Sequence, residues 1–242
     1  MEKVTCIIPA YNEESTIAGV VKTCLETPEI GEVIVVSDGS TDKTVEKVQK
    51  IKSKKLKIIA LPENHGKGFA VAKGVKMAKN EILLFLDADL INLQPHHLSS
   101  LIWPVINNQA DMSVGIWGAF SPNTLYSWQL SGQRAFKAKY IKNHLKEIAS
   151  SKYGLEIVLN EIFKRKKIVT VPLISSKPLH IIKYKKNSPW IREYIKEGLQ
   201  IGKVFLKNKS KNYQKKFKTE LIKIFASYFR TTAKKIRQIL EE

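Results

Sequence analysis

Four short apolar runs, each closed by a polar loop and followed by a helical pattern, fill the first ninety residues and constrain the fold more than any other feature. They are Val4 to Ile8, Val33 to Val36, Leu56 to Leu61 and Ile82 to Leu86. Apolar stretches of this length between turn residues fit interior strands, and repeated strand-then-helix units imply a parallel sheet with right-handed crossovers. All four connecting loops then emerge at one edge of the sheet. In open α/β sheets ligands bind beyond the carboxyl ends of the strands, so the chemistry is to be sought in these loops.

Asp87-Ala88-Asp89 closes the fourth run with two carboxylates one residue apart. Hard oxygen donors in that position suit Mn2+ or Mg2+ carrying a diphosphate, because such ions keep coordination positions for substrate phosphates. The competing reading is a solvated, Asp-containing turn. Pro62-Glu63-Asn64-His65-Gly66-Lys67-Gly68 leads into the helical pattern Phe69, Val71, Ala72, Val75 and Ala78. Its glycines allow close backbone approach, and Lys67 adds a positive charge for phosphate. Asp38, in Ser37-Asp38-Gly39-Ser40-Thr41-Asp42, also lies at a strand's carboxyl end. Structural roles compete at several positions: Pro9 and Gly68 as turn shapers, Asp42 as a helix cap, and Glu13 as a first-turn acid favoured by the helix dipole.

Taken together, Pro9-Ala10-Tyr11-Asn12-Glu13, Val36 to Asp42, Asn64 to Gly68 and Asp87-Ala88-Asp89 resemble, in order and spacing, the nucleotide-sugar half of the family 2 glycosyltransferases. The resemblance implies the GT-A fold, a mostly parallel central sheet flanked by helices. It implies that Asp38 hydrogen-bonds the nucleobase, that Pro9, Glu13, Gly66 and Lys67 line the nucleoside and diphosphate, that Asp87 sits by the ribose, and that Asp89 ligates the metal. Tyr11 and Ala88, inside the same motifs, join the nucleotide-sugar set. Residues 1–115 then form the donor half, 116–186 the acceptor half of the same domain, and 187–242 a basic helical tail.

Further along, Leu130 to Phe136 and Tyr153 to Glu156 resemble segments of glucosyl-3-phosphoglycerate synthases and polyprenyl-phosphate glycosyltransferases. Arg134 is expected to offer a forked donor to an anionic acceptor or to the donor phosphates, its alternative being a helix-surface cation. Glu156 is expected to bind sugar hydroxyls or serve as a base, its alternative being an exposed acid on the helix from Leu155 to Phe163. His180, in the apolar segment Lys177 to Lys183, matches by the same resemblance a third metal ligand; otherwise it is a structural histidine. The implied reaction moves a hexose from a nucleotide diphosphate sugar, UDP-linked, to a small anionic or lipid-linked acceptor. A nucleotidyltransferase would begin with a Gly-rich loop bearing Arg and Lys, which Pro9 to Glu13 lacks. A non-catalytic membrane scaffold is disfavoured by the intact Lys67, Asp87 and Asp89.

The formal net charge of +19 points to acidic partners. Residues 203–242 hold twelve Lys or Arg against three Glu, interleaved with Phe217, Leu221, Ile224, Phe225, Tyr228, Ile236 and Leu240 at helical spacing. Such an amphipathic tail fits either an anionic membrane surface or packing on the core or a twin subunit. Nucleic acid is disfavoured, since no binding module is recognisable. Cys6 and Cys24 fall in the first strand and first helix as small core residues rather than as a disulfide scaffold. With no signal segment and no apolar stretch near 18 to 20 residues in the sequence, the expected location is cytoplasmic or peripheral at the inner membrane face.

Overall fold

The computed structural model describes residues 2–117, 128–151 and 154–174. His180 and the basic tail lie outside the described residues. Among those described, the elements in order are β1 (Val4–Ala10), α1 (Ile17–Glu26), β2 (Ile30–Asp38), α2 (Thr44–Gln49), β3 (Leu56–Leu61), α3 (Lys67–Met77), β4 (Ile82–Phe85) and α4 (Pro95–Ile106). They are followed by β5 (Met112–Trp117), β6 (Arg134–Lys137), α5 (Leu145–Ser150), α6 (Leu155–Ile162) and β7 (Ile168–Leu173).

One seven-stranded sheet has the order β3-β2-β1-β4-β6-β5-β7. Strands β3, β2, β1 and β4 pair in parallel, as the strand-then-helix alternation requires. β6 is inserted antiparallel between β4 and β5, and β7 pairs in parallel with β5. Arg134 is therefore the first residue of a strand rather than a helix-surface cation. Pro9 also corrects its expectation: it belongs to β1, paired with Val36, not to the turn after it. The ladder with β4 ends at Ile7, so the N–H that Pro9 lacks is not required on that side.

Alternation along the strands drives both faces of the sheet into apolar layers. Cys6, Ile8, Val33, Val35 and Leu84 face α1 and α4, packing with Ile17, Val20, Val21, Leu98, Leu101 and Ile102. Ile7, Leu83, Phe85, Met112 and Phe136 face the other way, onto Val71 and Val75 of α3 and Leu155, Val158 and Leu159 of α6. The sulfurs of Cys6 and Cys24 lie 3.7 Å apart as free, buried thiols. Among the described residues no helix is long and apolar enough to cross a membrane.

The chain runs outward from β1 to β2 and β3, then returns across β1 to β4. That reversal separates the loops after β1 and β4, and such a switch point is where a doubly wound sheet opens a crevice.

Candidate active site

The loop after β1 is tied to the loop after β2. Asn12 takes a left-handed backbone conformation (φ 55°), which Asn tolerates better than most residues. From there its side-chain oxygen accepts the Thr41 N–H at 2.8 Å, while its own N–H donates to the Ser40 hydroxyl at 3.1 Å. Asp42 accepts the N–H of Glu14 at 3.0 Å on one oxygen and that of Thr44 at 2.9 Å on the other. Asp42 thus precedes the N-cap, Lys43, and accepts the N–H of Thr44, the first residue of α2; its carboxyl is held below the usual aspartate range, for burial pushes it up and the bonds from Thr44 and Glu14 prevail.

The loop after β2 is tied in turn to the loop after β3. Asp38 is 3% exposed, and its two oxygens accept the N–H groups of His65 at 2.9 Å and Gly66 at 2.8 Å. Gly39 allows this approach, for a Cβ there would stand 2.4 Å from the Glu63 carbonyl carbon. Gly66 (φ 96°) then turns the chain into α3, bringing the first-turn N–H groups to the crevice edge. A helix N-terminus so placed is suited to an anionic group.

Lys67, the first residue of α3, is held between two carboxylates. Its Nζ lies 2.7 Å from Asp87 Oδ1 and 2.6 Å from Glu156 Oε1. Burial would pull the ammonium pKa down, but Asp87 and Glu156 together outweigh it and hold it above the ordinary lysine value. The other oxygen of Asp87 accepts a hydrogen bond from Gln133 Nε2 at 2.7 Å. Gln133 is itself fixed, its Oε1 lying 2.9 Å from the Ser131 hydroxyl, which donates to the Gly115 carbonyl at 2.6 Å. At Gly132 the backbone sits against the same carboxylate: a Cβ would meet Asp87 Oδ2 at 2.4 Å. Side chains from β4's loop, α3, α6 and the turn before β6 thus close one corner.

Arg134 lies below this corner, fully buried. Its Nε donates to Ser131 O at 2.7 Å and its two terminal nitrogens to Asn160 Oδ1 at 2.7 Å and Gln129 O at 2.9 Å. Burial pulls its pKa down to about 10, against the raising influence of Glu156 and Asp87. A guanidinium so engaged carries the 129–131 turn rather than reaching into solvent. Glu156, expected as a ligand or an exposed acid, is buried in the first turn of α6 and bound to Lys67.

Of the residues singled out from sequence, Lys67, Asp87 and Glu156 are brought into direct contact, and Asp38 meets Gly66. Tyr11 stands 47% exposed at the end of β1, while Ala88 buries its side chain in the core. Glu13 and the half-buried Asp89 stand in the loops after β1 and β4. His180 lies outside the described residues. Among the described residues no group of three His, Cys, Asp or Glu could hold a metal ion. Asn12, Ser131, Gly132 and Gln133 lie inside motifs that carry the resemblance, but the sequence assigns them no role; Asn160 lies in none of those motifs.

A family model described as Glycosyl transferase family 2 matches residues 5–167. A dolichyl-phosphate β-glucosyltransferase of Drosophila melanogaster is 41% identical over 100 residues, covering 36% of this chain and 31% of that protein. A poly-β-1,6-N-acetyl-D-glucosamine synthase of Staphylococcus aureus is 38% identical over 93 residues, 38% of this chain and 23% of its own. The chain thus spans about a quarter to a third of the length of these curated relatives. Among solved structures, glucosyl-3-phosphoglycerate synthase from Mycobacterium tuberculosis with phosphoglyceric acid superposes with a TM-score of 0.65 at 21% identity, over 85% of this chain and 79% of that one. The same enzyme with Mn2+, UDP-glucose and phosphoglyceric acid gives 0.63 at 21% identity, over 83% and 78%. At that identity the likeness concerns the fold, which is GT-A.

Proposed function

Because the chain belongs to glycosyl transferase family 2, we propose that it transfers a hexose from a nucleotide diphosphate sugar, UDP-linked, to a small anionic or lipid-linked acceptor. The observation that carries this reading is the convergence of the loops after β1, β2, β3 and β4 on one crevice, with Lys67 and the start of α3 at its edge. The M. tuberculosis neighbour is described with UDP-glucose, Mn2+ and phosphoglyceric acid, and the Drosophila relative by a dolichyl-phosphate acceptor. The first supports the donor and a small anionic acceptor, the second a lipid-linked acceptor.

In this reading Tyr11, Pro9, Glu13, Asp87 and the backbone at Ala88 frame the nucleoside. Asp38 holds Gly66 in place and offers the base its remaining lone pairs. The first turn of α3 and Lys67 receive the diphosphate, whose negative charge grows as the glycosidic bond breaks. Glu156 anchors Lys67 through Oε1 and turns Oε2 to a hydroxyl of the sugar or the acceptor. Arg134 carries the turn that holds Gln133 and so positions Asp87. Asp89, a hard oxygen donor in the crevice loop, and His180 would hold Mn2+ or Mg2+; such an ion would supply further neutralisation of the leaving group.

A thermal-shift comparison of UDP-glucose, other nucleotide sugars and no ligand, with and without Mn2+, tests this. Ligand at a hundredfold excess over Kd stabilises by about 2.7 kcal/mol, or roughly 5 to 11 °C for a chain of this size. A UDP-sugar should give the largest shift, and Asp89→Ala should remove the Mn2+-dependent part. No shift with any UDP-sugar would sink the donor assignment; a Mn2+ response that survives in Asp89→Ala would sink the metal assignment.

A further inference from the structure

Charge is divided unevenly between the two ends of the sheet. The segments at the crevice end, residues 11–16, 39–43, 62–66, 86–94 and 128–133, carry six acids and one lysine. Those at the opposite end, residues 2–3, 27–29, 50–55, 78–81, 107–111, 138–144 and 163–167, carry eleven lysines and one arginine against four acids. All twelve of these cations are exposed. A lysine-rich composition by itself would raise lysine at both ends, so the division is a property of the surface.

Among the described residues little neutralises the basic end. Two of its four acids are already engaged: Glu29 accepts the Ser99 hydroxyl at 2.9 Å, and Asp111 accepts the Tyr140 hydroxyl and the Lys167 N–H. Lys50 pairs with Glu46 and Lys164 with Glu161, while Lys139 and Lys166 lie 5.2 Å and 4.9 Å from the Tyr140 ring. Lys52, Lys54, Arg165 and Lys167 are exposed and form no ion pair among the described residues.

We propose that this end of the sheet is a docking face for an anionic phospholipid surface. Lysines predominate over arginine eleven to one, and an ammonium is a mobile point charge without the fork that reads phosphate or base geometry. Tyr140, with its ring under two lysines, is not offered as a stacking platform of the kind single-stranded nucleic acids use. The cations flank β1, β3, β4, β6 and β7, from one edge strand of the seven to the other, about 29 Å at the usual strand spacing. Breadth and dispersed charge match a sheet of lipid headgroups. The acidic crevice end would then turn away from the bilayer, since the field of such a charge division orients the molecule. Docked this way, the crevice opens to water, about 23 Å from the surface along β1. The residues of this face precede the basic tail in the sequence, and the proposal does not rest on the proposed reaction.

The test uses the full chain with phosphatidylcholine vesicles, with and without phosphatidylserine, in low and high salt. Sedimentation should require phosphatidylserine and should fail in high salt, where surface charges are screened. A variant combining Lys52→Glu, Lys54→Glu, Lys164→Glu and Arg165→Glu should bind at least tenfold more weakly. Its melting temperature and its donor turnover without vesicles should stay as in the parent chain. Should that variant fold poorly, the fourfold replacement by Gln should still weaken binding severalfold. Parent-level vesicle binding in a folded variant would assign the attachment to the tail and overturn the proposal. So would a parent chain that ignores phosphatidylserine vesicles, or one that prefers a single-stranded RNA through the same residues.

Discussion

The loops after β1 and β2 and the corner around Lys67 are fastened in different currencies. In the former, Asn12, Asp38 and Asp42 accept backbone N–H groups of a neighbouring loop. In the latter, Lys67, Asp87, Gln133 and Glu156 hold one another by side chains drawn from positions up to 89 residues apart. A backbone donor is present whatever residue supplies it, so the first arrangement depends on the acceptor alone. The second depends on the identity of every member. Loss of one member should therefore be far more costly at the corner than in the loops.

The largest break is expected from Lys67→Ala, which leaves Asp87 and Glu156 facing each other without a cation. Removing one partner of a buried pair costs about 3 to 5 kcal/mol, and about 2 to 4 kcal/mol is expected once the quarter exposure of Lys67 is allowed for. Turnover should fall at least 10²-fold, the order seen when one charge-stabilising group is lost. Asn12→Ala should cost about 1 kcal/mol, the worth of a bond or two to backbone. Equal losses in the two variants, read by melting and by donor turnover, would erase the distinction between the regions.

Gly132→Ala is the next test. Its Cβ would sit 2.4 to 2.5 Å from both oxygens of Asp87, so the carboxylate must move off Lys67 or Gln133. The donor KM should rise roughly tenfold, while stability falls by about 1 to 3 kcal/mol as for other overpacked sites. Gln133→Leu should raise the same KM without a clash and so separate loss of the bond from loss of space. A Gly132→Ala enzyme with parent KM would mean that Asp87 does not need its seat.

The same difference explains what could be read beforehand. The parallel half of the sheet was legible because each of its strands is a short apolar run ended by its own polar loop, and the residues meeting the crevice are local to that loop. Asp42, expected as a cap, stands one residue before the N-cap Lys43 and accepts the N–H groups of Glu14 and Thr44. Arg134 sits deeper than its sequence suggests, because a cation beside Ala135 and Phe136 gives no hint that an Asn 26 residues later accepts from it. Nor does periodicity reveal β6, a four-residue strand running against its neighbours. Glu156 falls on the buried side of a helix whose other buried positions are apolar, and only the arrival of Lys67 from the opposite half stabilises it there.

His97 ties α4 to the end of β7, and its titration gives the smallest and most specific effect. His97, in the first turn of α4, accepts the Gln94 N–H on Nδ1 at 3.1 Å and lies 2.9 Å from the Ile174 carbonyl through Nε2, beyond β7. Accepting on one nitrogen and donating on the other requires the neutral ring. Burial first, and the neighbouring His96 in addition, lower its pKa in spite of the Ile174 carbonyl. The sign follows: the folded state resists protonation, whereas the unfolded chain takes up a proton at the ordinary value near 6.5. Stability is therefore retained above that value and lost progressively as pH falls below it, toward the lowered folded value. Glu32 and Asp111, held below their ordinary 4.5 and 3.8, keep their contributions down to those values and lose them only in more acid solution. Between pH 7.5 and about 5.5 the melting temperature should thus drop by a few degrees through His97. His97→Asn retains an acceptor for Gln94 and cannot titrate, so its melting curve should be flatter over the same interval even if it starts lower. An unchanged slope in that variant would show that the tie between α4 and the end of β7 does not depend on a neutral imidazole.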